Sequence, residues 1–194
     1  MYEALINYIN SYSTTQLSEP DIAAIKDTFK PGKIKKKEFL LKEGQVCNLT
    51  AFVINGALRQ YSVDEKGSEH IVGLYIENWW ASDRESWTTL TPSLYNIDAW
   101  ENTDVLLLTR DAYYERIKPI PAFIEMNSKL QENNAFSVQK RLHALISLPA
   151  EKRYIDLINA YPQFLQRFPQ HIIASYLGIT KETLSRVRRQ LSNK

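Results

Sequence analysis

Residues 170–194 read QHIIASYLGITKETLSRVRRQLSNK. Ile172, Ile173 and Leu177 recur at helical spacing and form the inner face of a first short helix. Ala174 is small where a second helix must cross closely. Gly178 stands where the chain leaves the first helix and a positive φ is needed. Thr180 is a good N-cap, and Leu184, Val187 and Leu191 mark the buried face of a second helix. A small residue, a glycine four positions on, and apolar residues six and nine beyond that glycine together spell a helix-turn-helix.

The outward face of the second helix carries the chemistry. With Thr180 at its start, it presents Lys181, Glu182, Ser185, Arg186 and Arg189. An arginine at position 186 can pair bidentately with a guanine, and Glu182 can accept from a cytosine amine. Gln170, Lys181, Arg188 and Arg189 suit contacts to backbone phosphates, which position a protein on DNA without reading sequence. Any one of these cations could equally be a solvated helix charge. Their combination on one face of a patterned motif points to double-stranded DNA.

Charge supports this reading. The net charge is only +2, but residues 139–194 carry ten Lys and Arg against three acidic residues, and residues 1–138 carry fourteen against nineteen. An acidic body joined to a basic end is the asymmetry expected when one segment meets a polyanion.

Outward from this motif the chain changes character twice. From about Pro121 to Ser147 there is no internal Gly or Pro. Ile124, Ala135, Val138, Leu142 and Leu145 form a stripe near heptad spacing, with Phe123, Met126 and Leu130 beside it. Two apolar edges suit a helix that packs on its own domain and also on a partner; an ordinary amphipathic core helix is the plainer alternative. Leu148-Pro149-Ala150 ends it and marks a domain boundary.

Between Lys33 and about Thr109 the sequence is short β runs separated by turns. Ala51 to Ile54 meets Asn55-Gly56, a strong hairpin signal, and Ala57 to Val63 then reads as an alternating strand. Such runs imply a sandwich or barrel. The cluster Lys33, Lys35, Lys36, Lys37 reads as a solvated edge that discourages further strand pairing. The opening segment to Phe29 is helical, with Leu5, Ile6, Ile9, Leu17, Ile22 and Ile25 as buried positions. Ser18 caps its second helix, Pro20 sits in the first turn, and Pro31-Gly32 ends it.

Composition narrows the function classes. A single cysteine, Cys47, excludes an internal disulfide framework and any four-cysteine iron–sulfur or zinc site, and reads as a buried structural thiol. His70, His143 and His171 show no metal-ligand spacing, so no metal or cofactor is expected. No apolar run approaches the roughly 18–20 residues of a membrane span, and the N-terminus lacks the pattern of a signal peptide; a cytoplasmic protein without membrane contact is expected. No nucleophile elbow, phosphate loop or convincing acid/base pair is present, so the chain is not expected to be an enzyme.

FVINGALRQY at 52–61, the long helix, and IASYLGITKETLSRVRR at 173–189 together resemble the Crp/Fnr family of bacterial transcription regulators over essentially the whole length, with a terminal sequence like that of the Bacteroidetes branch. The resemblance implies an α+β fold with three parts. Residues 1–119 would form a cyclic-nucleotide-binding-like sensor, a double-stranded β-helix or cupin-like jelly roll. Residues 120–148 would form a long dimerisation helix, and residues 149–194 a helix-turn-helix DNA-binding domain. The family's recognition core falls on Lys181, Glu182, Thr183 and Arg186. A homodimer on a palindromic promoter site is implied.

Two departures from the family matter. The cyclic-nucleotide cassette of Gly-Glu followed by Arg-Ser-Ala falls on Ala81-Ser82 and Ser93-Leu94-Tyr95, so the ribose-binding carboxylate and the phosphate-binding arginine are both missing. Burying a cyclic phosphate without a cation is costly, and cyclic AMP is not expected. Trp79, Trp80, Trp87, Tyr95 and Trp100 stand around that stretch, with Arg84 as a polar handle. They would either line a pocket for another small-molecule effector or simply fill the roll. In addition, the sequence stops at Lys194, so the β-hairpin wing usual in the family is expected to be missing. The alternative function is an interaction or ligand-binding protein that kept the fold and lost DNA recognition.

Overall fold

Ser18 and Asp21 exchange side-chain and backbone hydrogen bonds, a capping box that starts α2 (Glu19–Thr28) with Pro20 in its first turn. α1 (Tyr2–Tyr12) precedes it. The computed structural model describes residues 1–192, so the expected lack of a wing concerns chain outside the described residues. Of the helical positions expected to be buried, Leu5, Ile9 and Ile25 are fully so, while Ile6, Leu17 and Ile22 are half-buried.

Pro31 and Gly32 do not terminate α2. They lie inside β1 (Lys30–Ile34), paired with Leu106 and Val105. Proline is tolerated there because β1 is an edge strand, and Gly32 packs so closely that a Cβ would sit 2.8 Å from the Leu107 side chain. The exposed Lys33 on this edge meets Asp104 at 3.2 Å, and Lys35, Lys36 and Lys37 are exposed beyond it, as a solvated edge requires.

The β region continues with β2 (Phe39–Leu41), β3 (Leu49–Asn55), β4 (Leu58–Val63), β5 (Glu69–Tyr75) and β6 (Trp80–Ala81). The short helix α3 (Arg84–Thr89) follows, then β7 (Asn96–Ala99) and β8 (Thr103–Thr109). Two four-stranded sheets result, ordered β1-β8-β3-β6 and β2-β7-β4-β5, the jelly-roll expected from the sequence. Asn55-Gly56, however, is not a hairpin. β3 and β4 belong to different sheets, and the turn carries the chain from one to the other. A type I′ hairpin needs positive φ at both central residues, but here only Gly56 has it, at +106°. A Cβ on Gly56 would meet the Thr103 hydroxyl oxygen at 2.6 Å, so the corner admits no side chain. The alternation expected for Ala57–Val63 also fails, because Leu58, Arg59, Gln60 and Tyr61 are all buried.

Period-two alternation does hold in the first sheet. Ala51, Val53, Ala81 and Val105 face the roll interior with Ile34, Leu41, Cys47, Leu58, Ile97 and Ala99. On the opposite face Phe52, Leu106 and Leu108 pack against Leu5, Ile9, Ile25, Phe29, Ile117, Phe123 and Met126. Each fully buried side chain of this size contributes roughly 1.5–3 kcal/mol.

A short turn of helix, α4 (Arg110–Ala112), and a π turn (Tyr113–Ile117) lead into α5 (Pro121–Ser147). Glu125 on α5 gathers the segment after α1, accepting from the backbone N–H groups of Thr14 and Thr15 and from the hydroxyls of Ser13, Thr14 and Thr15. Led by the Thr15 hydroxyl, these bonds lower its carboxyl from the ordinary 4.5 to about 2. A depressed folded-state value means that this anchor stabilises fully above about pH 4.5 and is lost as the pH falls towards 2. The protection of the Thr14 and Thr15 amides, relative to the intrinsic exchange rate at each pH, should therefore fall across that window in the wild type. In Glu125→Gln that protection should be low already at pH 6.

α6 (Ala150–Ala160), α7 (Phe164–Arg167), α8 (Gln170–Tyr176) and α9 (Lys181–Ser192) complete the chain. Two compact units are formed: residues 1–62 with 74–132, and residues 63–73 with 133 onward. Among the described residues no helix is long and apolar enough to cross a membrane.

Candidate nucleic-acid interface

α8 ends in a Schellman motif, because Gly178 at φ +64° lets the chain turn back. The Ile179 N–H donates to Ala174 O at 3.0 Å and the Gly178 N–H to Ser175 O at 3.0 Å. Thr180 then caps α9, accepting from the Thr183 N–H at 3.2 Å. Ile172, Ile173, Ala174, Leu177, Leu184 and Val187 are buried, as the pattern requires. Leu191 is half-buried.

Two arginines of the basic segment hold this turn and do not reach outward. Arg153 donates to Leu177 O at 2.7 Å. Arg141 donates to Tyr176 O at 3.1 Å, stacks 4.1 Å from the Tyr176 ring, and forks onto the carbonyls of Val72 and Ile71 at 2.6 and 3.2 Å. The Ser175 hydroxyl accepts from the Ile71 N–H at 2.9 Å. Guanidinium groups at the carbonyl end of α8 satisfy orphan acceptors and oppose its negative pole. The charge count alone could not separate these structural cations from the exposed ones.

Gln170, Thr180, Lys181, Glu182, Ser185, Arg186, Arg188 and Arg189 are all exposed. At about 100° per residue, Glu182, Ser185, Arg186 and Arg189 fall within about 100° of arc opposite Leu184, Val187 and Leu191. Lys181 and Arg188 flank that arc. Glu182 is held below the ordinary carboxylate value chiefly by its own backbone N–H, then by the Thr180 hydroxyl and the Lys181 charge. It therefore stays an ionised acceptor at the tip of the helix.

The residues considered as an effector site are not gathered into one pocket. Trp80 packs on the helix-covered face of the first sheet, with ring centroids 5.0 Å from Phe52 and 6.0 Å from Phe29 and Phe123. Trp87 packs against the roll interior and edge-on to Tyr113 at 5.9 Å. Trp79 and Tyr95 are half-buried and Arg84 is exposed. Trp100 lies 5.3 Å from the Arg59 guanidinium. Alternation explains the split between Trp80 and Ala81, which point to opposite faces of β6. Sequence reasoning missed a polar pair on the inner face, where the Tyr75 hydroxyl donates to the Gln60 carbonyl at 2.5 Å. The signal was available, since Gln60 stands two residues after the inward Leu58.

No protein-family model matches the chain. It is similar to the transcriptional activator protein FnrA of Stutzerimonas stutzeri, 26% identical over 185 residues, covering 88% of this chain and 74% of the relative. The transcriptional activator protein Anr of Pseudomonas aeruginosa is 24% identical over the same shares. Among solved structures, FixK2 from Bradyrhizobium japonicum aligns with a TM-score of 0.71 at 19% identity, covering 86% of this chain and 85% of that one. The Thermus thermophilus catabolite activator protein aligns with a TM-score of 0.57 at 19% identity, over 91% and 84%.

Proposed function

We propose that the chain is a Crp/Fnr-type protein, on its likeness to the FnrA and Anr activators, and that it is a homodimeric, DNA-binding regulator of transcription. α9 enters the major groove of each half of a palindromic site. The observation that carries the reading is the placement of Glu182, Ser185, Arg186 and Arg189 on one exposed arc of a helix whose opposite face is buried. Arg186 and Glu182 read base edges, while Gln170, Lys181, Arg188 and Arg189 hold phosphates, with Thr180 and Ser185 at the groove edge.

The partner is a second copy. Phe123 and Met126 of α5 face the core of their own domain and Leu130 packs against it. Ile124, Val138, Leu142 and Leu145 are 53, 60, 56 and 41% exposed along the other edge. A copy-to-copy interface sets like residues against like, so it tolerates little charge. Of the three charges flanking this edge, Glu125 and Arg141 are already bonded elsewhere in the chain, and only Glu132 is left to face a neutral Asn127 of the second copy.

The roll would take a small uncharged effector in preference to a cyclic nucleotide. Its inner face carries the Gln60–Tyr75 pair, whereas the cation of β4, Arg59, lies on the opposite face forked by Asp98. The protein acts in the cytoplasm, where its DNA is, and as a regulator it needs no catalytic residue.

Selection of fragments from the source genome should enrich one palindrome with half-sites about one helical turn apart. If Lys181, Arg188 and Arg189 of two protomers neutralise about six phosphates, the log of the affinity should fall with log salt at a slope of about −5. No enrichment at low salt, or a flat salt response, overturns the reading.

A further inference from the structure

The exposed edge of α5 is apolar except at two positions in its first half. At heptad spacing the row runs Ile124, Ser128, Gln131, Ala135, Val138, Leu142, Leu145, and Ser128 and Gln131 interrupt it. Both polar residues are exposed within their own chain, like the neighbouring positions of the row. In a parallel two-helix seam the positions following a three-residue and a four-residue step alternate as the two core sites, and each core residue faces its own copy across the axis. Ile124, Gln131, Val138 and Leu145 share one core site; Ser128, Ala135 and Leu142 share the other. The positions flanking the seam are Asn127, Asn134 and Arg141 on one side and Glu125, Glu132, Gln139 and Ile146 on the other.

We propose that Gln131 meets Gln131 of a second copy in a polar layer that fixes α5 as a parallel, in-register pair. The proposal rests on the homodimer reading above and gives it a register. Two carboxamides facing each other each offer a donor and an acceptor, so they satisfy one another only when directly opposite. A sliding or antiparallel arrangement would leave a carboxamide against Leu142 or Val138, an unpaired polar group in an apolar layer. The flanks argue in the same direction. In a parallel pair Asn127 comes beside Glu132 and Asn134 beside Gln139 of the second copy, and none of these pairs sets like charge against like. The apolar residues thus supply affinity and the amide supplies orientation, which is what two half-sites related by a two-fold axis require of their protein.

A charge-swap experiment on the full chain reads this directly. Gln131→Glu and Gln131→Lys would each be purified and followed by analytical ultracentrifugation, alone and mixed. Each alone should set like charges face to face and raise the dimer dissociation constant by about a hundredfold; mixed, the two should form a heterodimer within about tenfold of the wild-type constant. Gln131 is exposed in the single chain, so neither variant should lose its fold, and circular dichroism checks that. Gln131→Leu should tighten the dimer and loosen its register, lowering the fraction trapped by a disulfide through a cysteine placed at Ser128, because only a parallel, in-register pair brings the two copies of that position together. Leu142→Glu serves as the control for the dimer itself. If Leu142→Glu leaves the dimer intact, the homodimer reading fails. If it disrupts the dimer but the mixed Gln131 variants remain monomeric, or each dimerises alone like the wild type, only the polar layer fails.

Discussion

Arg186→Ala should lower the affinity for the selected palindrome by about 2–6 kcal/mol while leaving the fold untouched. A bidentate arginine–guanine pair is worth about 1–3 kcal/mol of discrimination, and a two-fold dimer makes the contact twice. The side chain is exposed and sits on the arc farthest from the buried Leu184 and Val187, so its loss opens no cavity. The melting temperature should therefore stay within a degree or two of the wild type. The control that gives the result meaning is Arg188→Ala. That residue flanks the arc, and as a phosphate contact its loss should weaken binding uniformly over all sequences and reduce the salt slope by about 2, one unit per half-site. Arg186→Ala should instead relax the preference for one base pair in each half-site. Equal losses on specific and unrelated DNA for both variants would show that Arg186 only holds phosphate.

The DNA-facing half of the molecule was legible in the sequence because the physics there is local. A cap, a left-handed glycine and a helical stripe each lie within a few residues of their partners, and Thr180, Gly178 and the Leu184–Val187 face all take the conformations their residue types prefer. Charge was less legible. Arg141 and Arg153 count with Arg186 and Arg188 in any tally, but they end on carbonyls of residues far away in sequence. The same limit explains why the Asn55-Gly56 turn was misread and why the tryptophans stood between two readings. Asn55-Gly56 has the local signature of a hairpin, yet whether β4 returns along β3 or crosses to the other sheet is set by β7 and β8, some forty residues further on. Trp80 and Trp87 lie close in sequence, but the pleat of β6 turns Trp80 under the covering helices, while Trp87, on α3, reaches both the roll interior and Tyr113.

Asp98→Ala should be the most destabilising single substitution of a charged residue in the roll, costing about 3–5 kcal/mol. Its carboxylate takes the Arg59 guanidinium as a fork, Nε at 2.8 Å and Nη2 at 3.0 Å, with the Tyr61 hydroxyl at 3.4 Å. Arg59 and Asp98 are only 8 and 5% exposed. Register forces the pairing, since the two residues stand directly opposite on β4 and β7. Removing the carboxylate takes the fork from a guanidinium that cannot shed its charge by losing its proton. The Tyr61 and Trp100 rings, 4.3 and 5.3 Å from the guanidinium, offset part of that cost. At about 2–4 °C per kcal/mol for a chain of this size, the melting temperature should drop by about 10 °C. The double variant Arg59→Met with Asp98→Leu should recover most of the loss, because two apolar side chains of similar volume need no partner. The contrast between single and double variants is the decisive measurement. If Asp98→Ala melts within about 2 °C of the wild type, water reaches the pair and its burial contributes little. If the double variant is no better than the single, the rings around Arg59 depend on its charge to hold that face of the sheet together.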